Sequence, residues 1–303
     1  MSLHIITKKP NNYFSQEYLK RITRMILKKK RGPQAVIASL VRGLDELNYS
    51  FKINTSIEKD DVVYVNESIS ALQWAIELKR KGKIGRLIAG PNLVVSPDEF
   101  ESLVCSSEID RYLLPSEWVK NWWLSLKPEL ATRLEVWAAG AKDFSLSYET
   151  RDSILVYKKN INMDVFQAVI NKLKEKGIKY SVINYGEFRR EDYFSLLDNC
   201  SALIYLQESE SQGIALVEAW AKNVPTFVLD NKIYKFKNYS WVDEKIAAPY
   251  LTSDCGAFFK DVNELSELLD SLSASNNYEP RNYYLSNFTD KICAENFLKI
   301  ISK

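Results

Sequence analysis

The stretch "SALIYLQESESQGIALVEAWAKNVPTFVLD", residues 201–230, decides the fold prediction. It opens with an apolar run of strand length and continues through a polar loop that contains Glu210. Gly213 then precedes a segment with helical character, and Pro225 opens a second apolar run. Strand, loop, helix and strand in this order predict a βαβ unit of a parallel sheet.

The same alternation occupies almost the whole chain. Predicted strands cover residues 3–7, 50–54, 61–66, 85–90, 111–115, 153–159, 179–186, 201–206 and 225–230. Predicted helices cover residues 13–30, 33–48, 70–82, 116–126, 163–177, 190–200 and 290–302. The polar segment 143–152 lacks periodicity and is interpreted as a linker. We therefore predict an α/β fold of two Rossmann-like parallel-sheet domains, residues 1–147 and 148–303, and we consider a return of the last helix to the first domain.

Composition and single residues exclude several classes of protein. With 46% hydrophobic and 26% charged residues, the 303-residue chain is typical of globular proteins. Its four cysteines lie far apart, which argues against zinc sites and disulfides and favours reduced thiols in the cytoplasm. The lone histidine, His4, lies inside the first strand and is interpreted as a structural residue, so hydrolytic triads are excluded. No apolar run approaches the length of a membrane-spanning helix.

Charge is unevenly distributed between the two predicted domains. Residues 1–147 contain 22 Lys+Arg and 17 Asp+Glu, a net +5, and the total of +2 leaves 2 − 5 = −3 for the remainder. The basic half suits an anionic lipid, a phosphorylated acceptor or nucleic acid, and solvated lysines are an equal alternative. The stretch "RITRMILKKKR", residues 21–31, is the candidate for peripheral membrane contact. The Lys- and aromatic-rich residues 232–241 are interpreted as a mobile cleft loop, so no nucleic acid is expected.

Two carboxylates flank the predicted helix start in the quoted stretch. The first N–H groups of that helix, near Gly213, Ile214 and Ala215, have no intrahelical partner and suit a diphosphate. Glu218, about a turn and a half along the helix, can accept hydrogen bonds from ribose hydroxyls, and Glu210 can meet a sugar attached to the diphosphate. A loop glutamate and an exposed helical glutamate of no special role are the alternative. Because ligands bind beyond the carboxyl ends of parallel strands, we expect the site in the cleft between the domains.

The motif "ESQGIALVEA", residues 210–219, resembles the E-x7-E signature of retaining GT-B glycosyltransferases (group 1, family 4-like), usually E-G-F-G-L-P-x-x-E-A. The turn "AKNVP" and the segments "DRYLLPSEWVKNWW" and "AAGAKDF" are also similar to the family. The resemblance implies that Glu218 binds ribose, that Glu210 contacts the donor sugar and that Lys158 or Lys159 neutralises the leaving diphosphate. It further implies donor contacts at the loop and helix start and at three other positions: Ser211, Gln212, Gly213, Ile214, Ala215, Tyr185, Gly186 and Gly32.

The resemblance implies a retaining, metal-independent transferase that moves a sugar from a UDP- or GDP-linked donor to a hydroxyl acceptor. The nucleotide sugar would be a co-substrate, so no cofactor is expected, and the acceptor would be a glycan or a lipid-linked group in cell-surface glycan synthesis. The family's first-domain histidine is absent here, since "IAGPNL" (88–93) offers Gly90 and Asn92 but no base. Two alternatives follow: a catalytically reduced partner subunit of a glycosyltransferase complex, and a nucleotide-sugar epimerase. We expect a cytoplasmic protein, peripheral at the inner membrane face as an option.

Overall fold

The computed structural model describes residues 2–9, 32–146, 151–274 and 278–303. Two compact units divide the chain: unit 1 comprises residues 1–140 and 290–303, and unit 2 comprises residues 141–289. The sequence placed the domain boundary at residue 147, within four residues that the structure does not describe. The predicted helix 13–30 and the basic stretch 21–31 also lie outside the described residues.

The described helices follow the predicted helical segments, with two additions at residues 262–274 and 280–287. They are α1 (Gly32–Glu46), α2 (Ile69–Arg80), α3 (Glu117–Leu126), α4 (Met163–Glu175), α5 (Arg190–Asn199), α6 (Ile214–Ala221), α7 (Val262–Ala274), α8 (Pro280–Asn287) and α9 (Asp290–Ser302). Short helical turns cover Glu99–Ser102, Leu103–Cys105 and Pro128–Leu130. None of the described helices is long and apolar enough to cross a bilayer.

Unit 1 contains a six-stranded sheet in which every pair of neighbours is parallel. Its strands are β1 (Leu3–Ile6), β2 (Phe51–Ile53), β3 (Val62–Val65), β4 (Arg86–Ala89), β5 (Arg111–Leu114) and β6 (Leu134–Val136). Their order is β2-β1-β3-β4-β5-β6. β1, β3 and the last three residues of β4 and β5 are buried, as expected for strands covered on both faces.

The helix α9 completes unit 1 although it follows unit 2 in sequence. It packs on α1, where Arg42 makes a bidentate contact with the buried Asp290. A Cβ at Gly43 would collide with the Asp290 carbonyl, so the two helices approach as closely as glycine allows. Trp137 Nε1 donates to Cys293 O at 2.8 Å, and the Trp137 and Phe297 rings are 5.3 Å apart.

His4 has a structural environment in unit 1, as the sequence suggested. The side chain is fully buried in β1, with Nδ1 3.2 Å from Thr55 Oγ1 and Nε2 2.9 Å from Asp61 Oδ2. Burial raises the pKa of Asp61. Hydrogen bonds from the N–H groups of Glu58 and Ser2, together with the nearby His4, lower this pKa by a larger amount, so it lies below its usual value. The imidazole thus fixes Asp61 at the amino end of β3.

Unit 2 contains a five-stranded parallel sheet and a separate hairpin. The sheet strands are β7 (Ser153–Lys158), β8 (Lys179–Asn184), β9 (Cys200–Leu206), β10 (Thr226–Leu229) and β13 (Gly256–Phe259). Their order is β13-β10-β9-β7-β8. β11 (Ile233–Phe236) and β12 (Tyr239–Val242) form the antiparallel hairpin. The predicted fold class of two Rossmann-like parallel-sheet domains is therefore confirmed.

Unit 2 also holds elements that the sequence did not indicate. β13 extends the sheet beyond β10, and α8 precedes the return of the chain to unit 1. Residues 232–241, interpreted as a mobile loop, instead form most of the β11–β12 hairpin. Successive side chains of the hairpin alternate between its two faces. Ile233 and Val242 are exposed on one face, and Tyr234 and Trp241 are half-buried on the other.

Candidate functional site

The order of the second sheet defines a topological switch point. β7, the first strand of unit 2, lies between β8 and β9, so the chain builds the sheet outward from β7 in both directions. Connections on the two sides of such a point run to opposite faces, which leaves a crevice at the carboxyl ends of the two central strands. Lys159 N donates to Leu206 O at 2.9 Å and joins β7 and β9 at this edge.

Lys159 and Glu210 form an ion pair across the switch point. Lys159 directly follows β7, and Glu210 lies in the loop after β9. Both side chains are largely buried, at 19% and 11% exposure, so water screens their attraction only in part. Glu210 N also donates to Ile246 O at 2.8 Å, which fixes the backbone of the loop. The pair therefore places one cation and one anion at the edge where a ligand of this fold binds.

Tyr205 also contacts the carboxylate of Glu210. Its hydroxyl donates to Glu210 Oε1 at 2.8 Å. Burial, and next the adjacent Glu210 charge, raise the pKa of Tyr205 well above its usual value, so the phenol stays protonated and remains a donor. The Tyr205 ring stacks on Tyr157 at 4.7 Å between centroids, and Tyr157 in turn contacts Phe188 at 5.7 Å. The sequence analysis missed this aromatic layer, since a strand of buried tyrosines is equally typical of an ordinary core.

The two lysines at the end of β7 have different surroundings. Lys158 Nζ lies 2.9 Å from Met163 Sδ and 4.6 Å from the centroid of the Phe166 ring. Lys159 Nζ instead meets Glu210 and lies 4.9 Å from the centroid of the Tyr185 ring. Successive residues of a strand point to opposite faces, which explains the separation. Of the two candidates, Lys159 is the one whose side chain pairs with the carboxylate of Glu210.

Gly213 opens α6 in a conformation that requires glycine. Its φ is +83°, in the left-handed region, and a Cβ would lie 3.1 Å from Leu216 Cδ1. The first bonds of the helix run from Leu216 N and Val217 N to Gly213 O, at 3.0 and 3.2 Å. The N–H groups of Ile214 and Ala215 precede these bonds and hence have no acceptor within the helix. They give this end of α6 a partial positive charge.

The residues beside Gly213 differ in exposure and contacts. Ser211 is exposed and Gln212 is buried. Ala215 O accepts a hydrogen bond of 2.7 Å from Tyr193 OH, so the aromatic layer also fixes the first turn of α6. The Tyr193 ring lies 5.9 Å from the Tyr157 ring, so Glu210 and the start of α6 are supported by the same cluster of rings.

Glu218 is buried rather than an ordinary exposed helical glutamate. Its side chain is 5% exposed and forms an ion pair with Arg190, the first residue of α5. Arg190 is 27% exposed, and its guanidinium carbon lies 5.5 Å from the Phe194 centroid. The sequence analysis missed Arg190, because 28 residues separate it from Glu218 and only the fold brings them together.

The remaining predicted donor contacts are divided between the units. Tyr185 and Gly186 lie in the loop after β8, where Tyr185 N donates to Lys158 O at 2.9 Å and the ring is 55% exposed. Gly186 has a φ of +82°, and a Cβ there would meet no neighbour, so the turn rather than crowding requires glycine. Gly32 is the first residue of α1 and belongs to unit 1.

The carboxyl edge of the first sheet carries neutral polar groups. Asn66 follows β3 and accepts from Asn92 Nδ2 at 3.3 Å, and Ser116 lies two residues after β5. Asn66 and Ser116 are fully buried, and within the part of the chain that the structure describes Asn66 Nδ2 and Ser116 Oγ have no hydrogen-bond partner. Gly90 has a φ of +89°, and a Cβ there would collide with Leu113 O. This edge offers amide and hydroxyl groups.

Acidic and metal-binding side chains do not cluster in the described residues. No group of three or more His, Cys, Asp or Glu side chains there could hold a metal ion. Glu210 and Glu218 are each paired with a cation instead.

No family model and no curated protein matches the sequence. Solved structures do match the fold. One is described as the lipopolysaccharide outer core galactosyltransferase WaaB in its apo form, with a TM-score of 0.61, 11% identity and 99% of both chains covered. A second is TarM of S. aureus, a mutant in complex with Fondaparinux, alpha-GlcNAc-glycerol and UDP, with a TM-score of 0.57, 11% identity, and 87% of this chain and 58% of that one covered.

A third match is a chain of the GtfA/B complex, with a TM-score of 0.53, 12% identity, and 88% of this chain and 60% of that one covered. The present chain thus spans the full length of the WaaB chain but little more than half of the other two. At these identities the likeness shows the fold alone. The chain has the two-domain Rossmann-like architecture of GT-B type that its structural neighbours share.

Proposed function

We propose that this protein is a glycosyltransferase that moves a sugar from a nucleoside diphosphate to a hydroxyl acceptor. The main support is the Lys159–Glu210 ion pair at the switch point, beside the amino end of α6. The fold agrees with this proposal, since one structural neighbour is described as a galactosyltransferase and another was solved with UDP. We therefore take UDP- and GDP-linked sugars as the first donors to test.

Positive charge at the switch point is assigned to the diphosphate. Lys159 supplies a full charge, and the N–H groups of Ile214 and Ala215 supply hydrogen bonds and the positive end of the helix dipole. Preorganised groups of this kind, aimed at the charge that develops on a leaving group, contribute several kcal/mol to a rate enhancement. Lys159 would be released in part from Glu210 when the phosphates arrive.

The two glutamates are assigned to the sugars of the donor. Glu210 would accept hydrogen bonds from hydroxyls of the transferred sugar, and Glu218 from hydroxyls of the ribose. We propose a retaining, front-face reaction without a metal ion. The bond between the anomeric carbon and the phosphate oxygen breaks, the acceptor oxygen bonds to the same face of that carbon, and a phosphate oxygen takes the acceptor proton. The acceptor is proposed to be a glycan or a lipid-linked group, at the cytoplasmic face of a membrane.

The first test compares two substitutions with a matched control. Glu218→Ala should weaken the affinity for nucleoside diphosphates, while Glu210→Ala should mainly lower turnover. Glu208→Ala, in the same loop but exposed, should change neither quantity. Isothermal titration with UDP, GDP and ADP gives the affinities, and transfer from their sugars in the presence of EDTA gives the rates. Unchanged nucleotide affinity in Glu218→Ala would reject the ribose assignment.

A second candidate function is that of a partner subunit in a glycosyltransferase complex. The structural likeness to a chain of the GtfA/B complex favours it, as does the absence of a first-domain histidine other than the buried His4. Donor hydrolysis or sugar transfer by the purified chain alone would eliminate this candidate.

A further inference from the structure

The carboxylate of Glu218 depends on one cation. Within the described residues, its ion pair is with Arg190, and its side chain is 5% exposed. An ionised carboxylate at such a depth is costly unless a counter-charge or several donors surround it. Without Arg190, the buried carboxylate of Glu218 would lose its counter-charge and the contact that fixes its orientation.

Arg190 is held in place by the aromatic side chains around α5. Its guanidinium lies over the Phe194 ring, and Phe194 packs against Phe144 with 4.3 Å between centroids and 46° between the ring planes. The side chain reaches α6 from the start of α5, which follows the loop that carries Tyr185. Tyr185 in turn contacts Lys159. The segment 185–190 therefore touches both charged positions of the site.

A paired carboxylate can still bind a ligand. Its two oxygens offer about four acceptor positions, and a guanidinium occupies at most two of them. The ribose of a nucleotide presents two vicinal hydroxyl donors, which an ionised carboxylate accepts with charge-assisted strength. A misoriented Glu218 would lose this preference, whereas the proposed diphosphate contacts at Lys159 and Gly213 would remain.

From this geometry we propose that Arg190 is a positioning residue that orients the Glu218 carboxylate as the acceptor of the ribose 2′- and 3′-hydroxyls. The site then selects ribonucleoside diphosphates over analogues that lack these hydroxyls. This inference rests on the proposed function, because it assumes that a nucleoside diphosphate binds at this sheet edge. It adds Arg190, a residue outside the E-x7-E motif, to the contacts that determine how the ribose is bound.

The test measures a ratio of affinities rather than a single affinity. Isothermal titration compares UDP and GDP with their 2′,3′-dideoxy analogues. In the unmodified protein we expect the ribonucleotide to bind about tenfold tighter than its dideoxy analogue. A hydrogen bond to a charged group contributes a binding free energy that corresponds to a factor of about this size. Arg190→Met should reduce the ratio to about two, and Arg190→Lys should restore part of it.

Two controls separate this role from general stability. Arg189 is the adjacent arginine, and it pairs on the surface with Asp192 at 2.7 Å, so Arg189→Met should leave the ratio unchanged. In a Glu218→Gln background, the addition of Arg190→Met should cause no further loss of ribose preference. If Arg190→Met does not fold, Arg190→Gln keeps hydrogen-bonding capacity without charge and is judged by the same ratio.

Each outcome decides between the two proposals. If the unmodified protein binds no nucleoside diphosphate, the proposed function fails and the inference with it. If it binds one, and Arg190→Met keeps the tenfold ratio or weakens both ligands by the same factor, only the inference is overturned. A selective loss of the ribose preference supports it.

Discussion

The carboxyl edges of the two sheets differ in the kind of polar group that they bury. In unit 2, the edge holds the ion pairs Lys159–Glu210 and Arg190–Glu218 beside the positive end of α6. In unit 1, the fully buried side chains Asn66 and Ser116 at the corresponding edge are neutral, and each retains a polar atom without a hydrogen-bond partner among the described residues, while the adjacent Glu67 is half-buried. Both sheets have a parallel Rossmann-like order, so the fold alone does not explain this difference.

The contrast indicates different chemistry at the two edges. Charged pairs can neutralise an anionic ligand, and they are costly to bury without such a use. Neutral amides and hydroxyls suit hydroxyl-rich groups, which they bind without a large desolvation penalty. If the proposed function is correct, substitutions in unit 2 should act on donor binding and rate, whereas substitutions in unit 1 should leave nucleotide affinity intact.

The largest effect is expected from Lys159. Lys159→Met removes the charge assigned to the leaving diphosphate and should lower kcat/KM about 100- to 1,000-fold, as loss of a comparable transition-state contact does. Lys158→Met is the matched control, because Lys158 contacts Met163 and Phe166 instead of the carboxylate. Its kcat/KM should fall by less than about threefold. Steady-state kinetics measure kcat/KM for both variants. Equal losses of kcat/KM in the two variants would contradict the assignment of the diphosphate contact to Lys159.

A smaller effect is expected from Tyr205. Tyr205→Phe removes the hydrogen bond to Glu210 but keeps the stacked ring, so the carboxylate loses one support while the layer remains. A hydrogen bond to a charged group contributes about 1.5–3 kcal/mol, so we expect kcat to fall about tenfold or somewhat more. The dissociation constant of the free nucleoside diphosphate should stay within about twofold. If Tyr205→Phe lowers nucleotide affinity but keeps kcat, Glu210 contacts the nucleotide rather than the transferred sugar.

The smallest effect is expected at the neutral edge. Ser116→Ala removes a buried hydroxyl that has no partner among the described residues, so the free energy of unfolding should change by less than about 0.5 kcal/mol. Nucleotide affinity should not change, because the residue lies in unit 1. Urea unfolding and isothermal titration measure the two quantities. A tenfold loss of nucleotide affinity in this variant would contradict the proposal that only the unit 2 edge binds the nucleotide.

Most of the fold could be predicted from hydrophobic periodicity. Most of the strands that the sequence indicated are buried and apolar, with β7 and β9 as examples, whereas β2 and β8 are largely exposed. β13 was missed because "GAFF" is only four residues long and its apolar run has only three residues. The β11–β12 hairpin was missed because lysines interrupt its aromatic residues, a pattern shared with mobile surface loops.

The site could be predicted only in part. The motif from Glu210 to Glu218 is local, so the sequence could indicate both carboxylates and the helix start between them. Arg190 and Tyr205 act through contacts that depend on tertiary structure, and neither differs in sequence from an ordinary surface arginine or core tyrosine. The choice between Lys158 and Lys159 depended on which face of β7 each side chain occupies, and the sequence did not fix the end of that strand.

The membership of α9 in unit 1 has a consequence for synthesis. Residues 290–302 supply Phe297 to the Tyr64–Trp137 cluster, and Asp290 pairs with Arg42 of α1. Domains fold as units while the chain emerges from the ribosome, and the first-made one usually folds first. In this chain the order is reversed. Residues 141–289 contain the whole second unit and can form its core, whereas the first unit lacks α9 until residues 290–302 are synthesised. A nascent chain that ends at residue 289 and is held on the ribosome by a linker that spans the exit tunnel should therefore display a protease-resistant second unit next to a first unit that is still cleaved.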